Sequence, residues 1–289
     1  MTSSFQYQLT SARRKSGITI LELLVFIVSV SLLTSIVLPA VLGAREVSHN
    51  LQCTDRLRQI GLALHKYATA HGTFPAGWTL DRTGGSGYSW AAAILPQLNE
   101  DELNSQIDCS RPIAEVGPVV RRTTPTVYLC PSDYGGADFP LFAELGEHGA
   151  SAQQSTLTLV TLPRANYMGV FGTSEPDEAA GNSGDGIFLE NHSIRQDEIS
   201  RGMSRVFMIG ERTTRKLSST WLGVAMAGED AGGRIVGCAA SGPNRDNTDE
   251  CEFDSRHFGH VNFTWADGHV SGVRDEIDKQ VYRQLAQRQ

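Results

Sequence analysis

The first strong feature of the chain is an uninterrupted apolar segment near its N-terminus. Ile18 to Leu38 reads ITILELLVFIVSVSLLTSIVL, and Glu22 is the only charged residue among these 21 positions. An α-helix of this length extends about 31 Å, which matches the hydrocarbon core of a bilayer. The segment therefore predicts a transmembrane helix over residues 18–38.

A second pattern begins beyond Pro39, where apolar residues recur at steps of three or four among charged ones. This spacing places them on one face of a helix, and Pro39 predicts a kink near the membrane exit without ending the helix. Gly72 and Pro75 then end the pattern, so we expect one helix of about 53 residues. A coiled coil would use the same spacing, but the β-prone segment that follows favours packing of residues 39–71 on the protein's own sheet. The apolar face comprises Val47, Leu51, Leu57, Ile60, Leu64 and Tyr67.

The remaining residues, 72–289, alternate short β-prone runs with glycine-rich turns, which predicts a β-rich domain. Ser89–Leu98 predicts a short helix. The tail from Arg274 to Gln289 predicts a terminal amphipathic helix packed on the domain through Ile277, Val281 and Leu285. The expected fold class is α+β, with a long N-terminal helix half in the membrane and half on an antiparallel β-sheet. The candidate strands are Thr126–Cys130, Thr156–Leu162, Tyr167–Phe171, Gly186–Leu189, Arg205–Ile209, Trp221–Ala225, Arg234–Cys238 and the pair that flanks Asp267-Gly268.

Charge orients the expected membrane helix. Arg13, Arg14 and Lys15 precede it and the first 17 residues contain no acid, so the positive-inside rule places the N-terminus in the cytoplasm. The C-terminal domain then lies outside the cytoplasm. A secretory signal peptide is the alternative, but its apolar region is shorter and ends in a small-x-small site, whereas bulky leucines occupy the corresponding positions here.

The charge balance also excludes one class of partner. The chain has a formal net charge of −7, and without its first 17 residues 22 basic residues stand against 32 acidic ones, a balance of −10. We find no basic patch that would offset this excess. A domain of this charge repels phosphate backbones, so nucleic acid is not expected as a partner.

Glu22 needs a partner, because a carboxylate inside a membrane span costs a few kcal/mol. The nearest candidate cation is a free α-amino group at Ile18, created by cleavage after Gly17, in the same chain or in a neighbouring subunit. The alternative is a carboxylate that lies near the membrane surface and reaches water.

The segment RRKSGITILELL resembles the cleavage signal of type IV prepilins and type II secretion pseudopilins. Basic residues, a glycine, an apolar residue and a glutamate at its fifth position are all present, although Ile18 stands where phenylalanine is more usual. The resemblance implies a pilin-like fold and a leader of residues 1–17. It also implies that a membrane prepilin peptidase cuts between Gly17 and Ile18 and methylates the new amine, and that Glu22 guides the packing of subunits.

Further phrases resemble one large bacterial family of prepilin-like proteins of unknown function. The C-terminal signature of that family, a histidine followed by nine residues and Asp-Gly, reads HFGHVNFTWADG here, from His257 to Asp267 and Gly268. Other matching phrases are CTDRLRQIGLALHKYATAHGTFPAG at 53–77, SWAAAILPQLNE at 89–100, VYLCPSD at 127–133, ANYMG at 165–169 and GDGIF at 184–188. The resemblance implies an architecture but no enzymatic activity.

Two interpretations of the signature remain open. Asp267-Gly268 predicts a β-hairpin, because this dipeptide suits the positive φ angles of a type I′ turn. Alternatively, the spacing from His257 to Asp267 brings an imidazole and a carboxylate together as metal ligands, with His260 and His269 near them in the sequence.

The loop between Cys238 and Cys251 is acidic. Its Asp246, Asp249 and Glu250 offer oxygen ligands, so calcium is a candidate ligand, although their spacing does not match an EF-hand. No other cofactor is expected. The sequence contains no G-x-S-x-G elbow, Walker A loop or H-E-x-x-H motif, so we assign no catalytic residue and expect no enzymatic activity.

The five cysteines include no CxxC and no histidine at zinc-finger spacing, which argues against a structural zinc site and favours disulfides in an exported domain. The residues alone leave every pairing open. The family resemblance favours a Cys53–Cys130 bridge, since both cysteines lie in shared phrases, and leaves Cys238–Cys251 as a local bridge with Cys109 free.

These features predict a pseudopilin-like structural subunit, processed by prepilin peptidase and anchored in the inner membrane by one helix, with a periplasmic C-terminal domain. Such a subunit would assemble with other pilin-like subunits in a type II secretion or type IV pilus-like system. The alternative is a membrane-tethered extracytoplasmic binding module or hydrolase that uses the prepilin leader only for sorting.

Overall fold

The computed structural model describes residues 19–144, 157–178, 183–246 and 248–289. The expected leader and the processing residues Gly17 and Ile18 lie outside these ranges. The chain divides into two units, residues 1–45 and residues 46–289.

Helix α1 spans Ile20–His71, and Pro39 lies inside it without interrupting it. In the first unit the helix is apolar, and none of its most apolar stretch is buried in the protein. Among the described residues this is the helix that is long and apolar enough to cross a membrane. The segment is therefore compatible with a single-pass anchor.

In its described residues, the second unit contains the rest of α1, three further α-helices and the β-strands. The α-helices are α2 (Trp90–Ala93), α3 (Asp101–Asn104) and α4 (Lys279–Ala286). The strands in the described residues are β1 (Trp78–Leu80), β2 (Ser86–Ser89), β3 (Asp138–Phe142), β4 (Thr158–Ala165), β5 (Tyr167–Gly172), β6 (Phe207–Glu211), β7 (Ser219–Thr220), β8 (Gly223–Ala225), β9 (Val236–Cys238), β10 (His260–Trp265) and β11 (Val270–Arg274).

The central sheet has five strands in the order β11-β10-β6-β5-β9. Two three-stranded sheets, β1-β2-β8 and β3-β4-β7, complete the domain. The α+β class predicted from the sequence is confirmed. The expected antiparallel pairing is wrong at one edge, because β9 runs parallel to β5. A parallel pair needs a long crossover, and the many residues between these two strands supply one.

The C-terminal part of α1 buries one face, which includes Leu57, Ile60 and Leu64 as predicted. The Thr264 hydroxyl on β10 donates to the Leu57 carbonyl at 3.1 Å, and a Cβ on Gly61 would lie 2.9 Å from the Thr264 methyl group. Glycine thus allows the helix and β10 to approach closely.

The first part of the predicted apolar face is wrong, because Val47 and Leu51 are 62% and 65% exposed. In these turns the helix instead directs Glu46, Asn50 and Cys53 toward the domain, where all three make contacts. Positions 46, 50, 53, 57, 60 and 64 follow the same spacing of three or four residues. The face that contacts the domain therefore starts with polar side chains, which a search for apolar residues does not detect.

Strands β10 and β11 form the hairpin that Asp267-Gly268 predicts. Gly268 has a φ of +89° whereas Asp267 does not adopt a positive φ, so the turn is not the expected type I′. The N–H of Trp265 donates to the His269 carbonyl at 2.9 Å across a loop of three residues. Such a loop needs only one residue in the left-handed region, and glycine supplies it.

Several shorter elements differ from expectation. The Thr126–Cys130 segment forms a 3₁₀ helix at Thr126–Tyr128, since Pro125 fixes the backbone just before it. Gly186–Leu189 is not a strand and takes part only in isolated bridges at its end. The predicted helix at Ser89–Leu98 splits into α2, which Ser89 caps, and a 3₁₀ helix at Pro96–Leu98.

The predicted terminal helix is present as α4, and Ile277 and Leu285 pack against the core as expected, although Val281 does not. Tyr282 and Ala286 are fully buried, whereas Val281 is 45% exposed. The Asp278 side chain accepts from the N–H groups of Gln280 and Val281 and so fixes where the helix begins. The large ring of Tyr282 then occupies the core.

Replacing Leu57 by alanine tests the packing of α1. Leu57 is fully buried, so Leu57→Ala should lower the free energy of unfolding by about 2–5 kcal/mol through lost contacts and a cavity. Leu62 is 57% exposed on the same helix, so Leu62→Ala should change it by less than about 0.5 kcal/mol. Urea unfolding of the detergent-solubilised chain measures both, and equal effects would contradict the burial of this face.

Candidate functional site

Four side chains from distant parts of the chain meet inside the domain: Cys53, Cys130, Glu211 and His257. One ligand atom from each lies within 4.8 Å of all the others, and all four residues are buried. We call this group the thiol cluster. It combines two sulfurs, an imidazole and a carboxylate, which are the side-chain types that bind transition metals or carry out thiol chemistry.

Each member of the thiol cluster comes from a different element. Cys53 lies on α1, and Cys130 follows the 3₁₀ helix at Thr126–Tyr128. Glu211 is the last residue of β6, and His257 lies three residues before β10. Strands β6 and β10 pair directly, so the end of one and the start of the other are neighbours. The cluster therefore forms where α1 crosses this edge of the central sheet.

The sulfurs of Cys53 and Cys130 lie 2.8 Å apart, and both residues are free thiols. A disulfide bond is about 2.05 Å long, so the Cys53–Cys130 bridge that the family resemblance favoured is not formed in the structure. The two residues are nevertheless neighbours as the resemblance implied. The expected Cys238–Cys251 bridge is confirmed, and Cys109 is free and exposed.

His257 connects the two sides of the cluster through its ring nitrogens. Its Nδ1 lies 2.6 Å from Glu46 Oε1, whereas its Nε2 faces Cys130 Sγ at 3.7 Å and Glu211 Oε1 at 3.6 Å. The side chain is 1% exposed. An N–H at Nδ1 that donates to Glu46 leaves Nε2 directed at the interior of the cluster.

Among the described residues, Glu211 presents one oxygen that accepts no hydrogen bond, and its nearest ion-pair partner is His257 Nε2 at 3.6 Å. Its Oε2 accepts from the backbone N–H of Asn262 at 2.9 Å. Its Oε1 is buried and has no hydrogen-bond partner among the described residues. A buried oxygen of a carboxylate without a partner costs free energy, so it indicates that something else belongs beside it.

The contacts within the cluster change the proton affinities of its members. The hydrogen bond from Cys53 lowers the pKa of Cys130 despite burial, and the same contact raises the pKa of Cys53. Burial lowers the pKa of His257, but its contacts with Cys130 and Glu211 outweigh burial and raise the pKa to about 11. Cys130 is the sulfur of the pair that becomes a thiolate more readily.

A hydrogen-bonded shell holds these groups in place. The backbone N–H of Cys130 donates to Asn166 Oδ1 at 2.9 Å, and the Asn166 amide donates to Asp133 at 2.8 Å. The Ser132 hydroxyl lies 3.1 Å from Glu46 Oε2. Because Ser132 and Asp133 directly follow the CP pair, the phrase VYLCPSD supplies both a cluster sulfur and part of its support.

The signature residues His257 and Asp267 do not meet. They lie beyond opposite ends of β10, and the six residues of that strand separate them. Asp267 instead accepts from His269 at 2.6 Å in the hairpin turn. His260 contacts Asn50 and the Phe258 carbonyl and is not a member of the thiol cluster. The spacing of nine residues therefore spans a strand and does not define a ligand pair.

The acidic loop also does not form the ligand set expected for calcium. In the described residues, the oxygens of Asp246, Asp249 and Glu250 do not gather within 4.8 Å of one another. The Asp249 carboxylate accepts from the N–H of Cys251 at 2.8 Å. It also lies beside Glu175. Burial raises the pKa of Glu175, and the neighbouring charge of Asp249 raises it further. The Asp249 carboxylate therefore supports the local structure around the bridge.

Sequence reasoning missed Glu46 and Glu211. Glu46 carries a usable signal, since it lies seven residues before Cys53 and therefore on the same face of the helix. Glu211 carries none, because its partners are far from it in the sequence and a single acid at the end of a strand is common.

The fold and the cluster define an α+β domain built on a helix that is compatible with a membrane anchor. Residues 43–280 match the family described as a protein of unknown function (DUF1559), and the chain belongs to this family. All four cluster residues lie within the matched range. No curated protein and no solved structure matches the chain.

Glu252, next to the confirmed bridge, generates a pH-dependent prediction. It is fully buried, and burial raises its pKa from about 4.5 to about 7. The folded state therefore holds this proton more tightly than the unfolded state, so the folded state loses stability as pH rises from about 4.5 to about 7. Glu252→Gln should remove this loss and gain up to about 3 kcal/mol relative to wild type above pH 7.

Urea unfolding of both proteins from pH 4 to pH 8 measures the difference between them. The exposed Glu276→Gln variant serves as the control and should stay parallel to wild type. A constant difference between Glu252→Gln and wild type across this pH range would contradict the prediction.

Proposed function

We propose that this protein is a pseudopilin-like structural subunit, matured by prepilin peptidase and anchored in the inner membrane. The observation that carries the proposal is helix α1, a single helix of 52 residues that is apolar and exposed in its first part and buried on one face in its last part. A helix of this kind suits a subunit that joins its neighbours through the apolar half and displays a domain through the other half.

The start of the helix supports the processing step. The N–H and hydroxyl of Thr19 donate to Glu22 at 2.8 and 2.9 Å, and α1 begins at Ile20. Cleavage after Gly17 would create a new amino group at Ile18, four residues before Glu22 in the sequence. The carboxylate would then lie where the positive end of the helix dipole and a new cation favour it.

The proposal places the N-terminus in the cytoplasm and residues 72–289 in the periplasm, with prepilin peptidase and other pilin-like subunits as partners in a type II secretion or type IV pilus-like system. The basic residues before the apolar segment support this orientation. The role is structural and includes no catalytic activity. The hydrolase alternative gains no support from its expected His257–Asp267 pair, because those residues lie beyond opposite ends of β10.

The mature N-terminus tests the proposal most directly. Mass spectrometry of the protein from membranes with the peptidase should find N-methylated Ile18, and membranes without the peptidase should contain the uncleaved chain. An intact Met1 in both strains would sink the proposal, as would cleavage near Ala40 or Ala44.

A substitution at Glu22 tests assembly separately from folding. Glu22→Ala should leave the protein in the membrane but reduce chemical cross-links between copies at least several-fold, because the subunits lose a charge that pairs across their contact. Ser35→Ala is the matched control on the same helix, since its hydroxyl bonds only to the Leu32 carbonyl of its own helix among the described residues. Equal cross-linking in both variants would contradict a role for Glu22 in packing.

A further inference from the structure

We propose that the thiol cluster is a metal site, with Cys53 Sγ, Cys130 Sγ, His257 Nε2 and Glu211 Oε1 as the four ligands of one Zn²⁺ ion. Two thiolates and an imidazole select zinc over calcium or magnesium, and four ligands complete a closed tetrahedral site. The site goes beyond the structural role proposed above and does not depend on it.

The distances that involve His257 agree with this geometry. With bond lengths of about 2.0–2.3 Å, two ligands of a tetrahedral zinc ion lie roughly 3.3–3.8 Å apart. Nε2 of His257 is 3.7 Å from the Cys130 sulfur and 3.6 Å from Glu211 Oε1. The two sulfurs, at 2.8 Å, would separate by about 1 Å on binding. A side-chain rotation of Cys53 is the simplest way to make that change.

The second observation is the buried oxygen of Glu211. Glu211 is 2% exposed, its Oε2 is held by Asn262, and its Oε1 faces the cluster without a hydrogen-bond partner. A metal ion would supply the missing interaction. It would also offset the charge of two thiolates and one carboxylate, which a buried site does not tolerate unpaired.

The groups behind the ligands match those that usually support zinc ligands. Histidine ligands commonly donate their other ring N–H to a carboxylate, which orients the ring and raises its basicity. Here Nδ1 of His257 lies 2.6 Å from Glu46, so Nε2 is the nitrogen left for the metal. Ligating carboxylates are likewise held by hydrogen bonds, and Asn262 provides one to Glu211.

A Cys53–Cys130 disulfide is the competing explanation for the two sulfurs. It would account for their proximity but would leave Glu211 Oε1 with His257 Nε2, 3.6 Å away, as its neighbour and with no hydrogen bond from the described residues. The metal site accounts for all four groups at once. The two states exclude each other, because a disulfide sulfur is not a thiolate ligand.

Metal analysis of the detergent-solubilised full chain tests the proposal. The protein purified with Zn²⁺ should contain one zinc per chain, and after removal of the metal it should bind Co²⁺ with the thiolate-to-cobalt absorption of a tetrahedral site. Cys53→Ser and Glu211→Gln should lose stoichiometric zinc. Glu46→Gln should keep the site but weaken zinc binding roughly 10- to 100-fold, since it removes only the support of His257.

Cys109→Ser is the matched control, because Cys109 is a free thiol outside the cluster, and its zinc content should equal that of wild type. The Cys238–Cys251 bridge, mapped by mass spectrometry, shows that each variant has folded. If Cys53→Ser fails to form this bridge, Glu211→Gln and Glu46→Gln carry the test. A Cys53–Cys130 disulfide in the purified protein would overturn the proposal. Reduced wild-type protein that retains no zinc would overturn it as well.

Discussion

The domain depends on the contact between α1 and the central sheet. An amphipathic helix gains most of its stability from burying one face, and here that face reaches from Cys53 through Leu57 to Ala68. Its approach to β10 is close because Gly61 has no side chain to separate the two elements. The same contact that packs the apolar part of the helix also carries Cys53 to the end of β6. Packing and chemistry therefore share one interface.

This arrangement explains why a group of polar side chains lies in the interior. Burial of Glu211 and His257 is unfavourable unless their polar atoms find charged or hydrogen-bonding partners. Glu46 pairs with Nδ1 of His257, and the backbone N–H of Asn262 donates to one oxygen of Glu211. In the thiol cluster, Glu211 Oε1 and the sulfurs of Cys53 and Cys130 face a common point together with His257. The convergence of these atoms is the feature that the proposed metal ion would explain.

The sequence predicted what periodicity and local turn chemistry determine. Helix α1 and the β10–β11 hairpin could be predicted from the sequence, because the residues that specify each of them are close together in the chain. Strand β3 was missed because Pro140 argues against a strand, yet β3 is the edge strand of its sheet, where proline is tolerated. Only part of the thiol cluster could be predicted from the sequence. The family resemblance paired the two cysteines, but strand pairing brings Glu211 to them, and no local sequence pattern encodes that pairing.

The two cysteine pairs of the domain illustrate a physical division of roles. Cys238 and Cys251 are 13 residues apart and form a bridge within one loop, so they constrain the chain only locally. Cys53 and Cys130 are 77 residues apart and connect α1 to the rest of the domain. Any covalent or metal link between them closes a long loop and stabilises the fold by several kcal/mol on the chain-entropy model. A metal extends the same restraint to β6 and to the segment before β10, so the occupied cluster would join Cys53 on α1 to three other segments where a disulfide joins it to one.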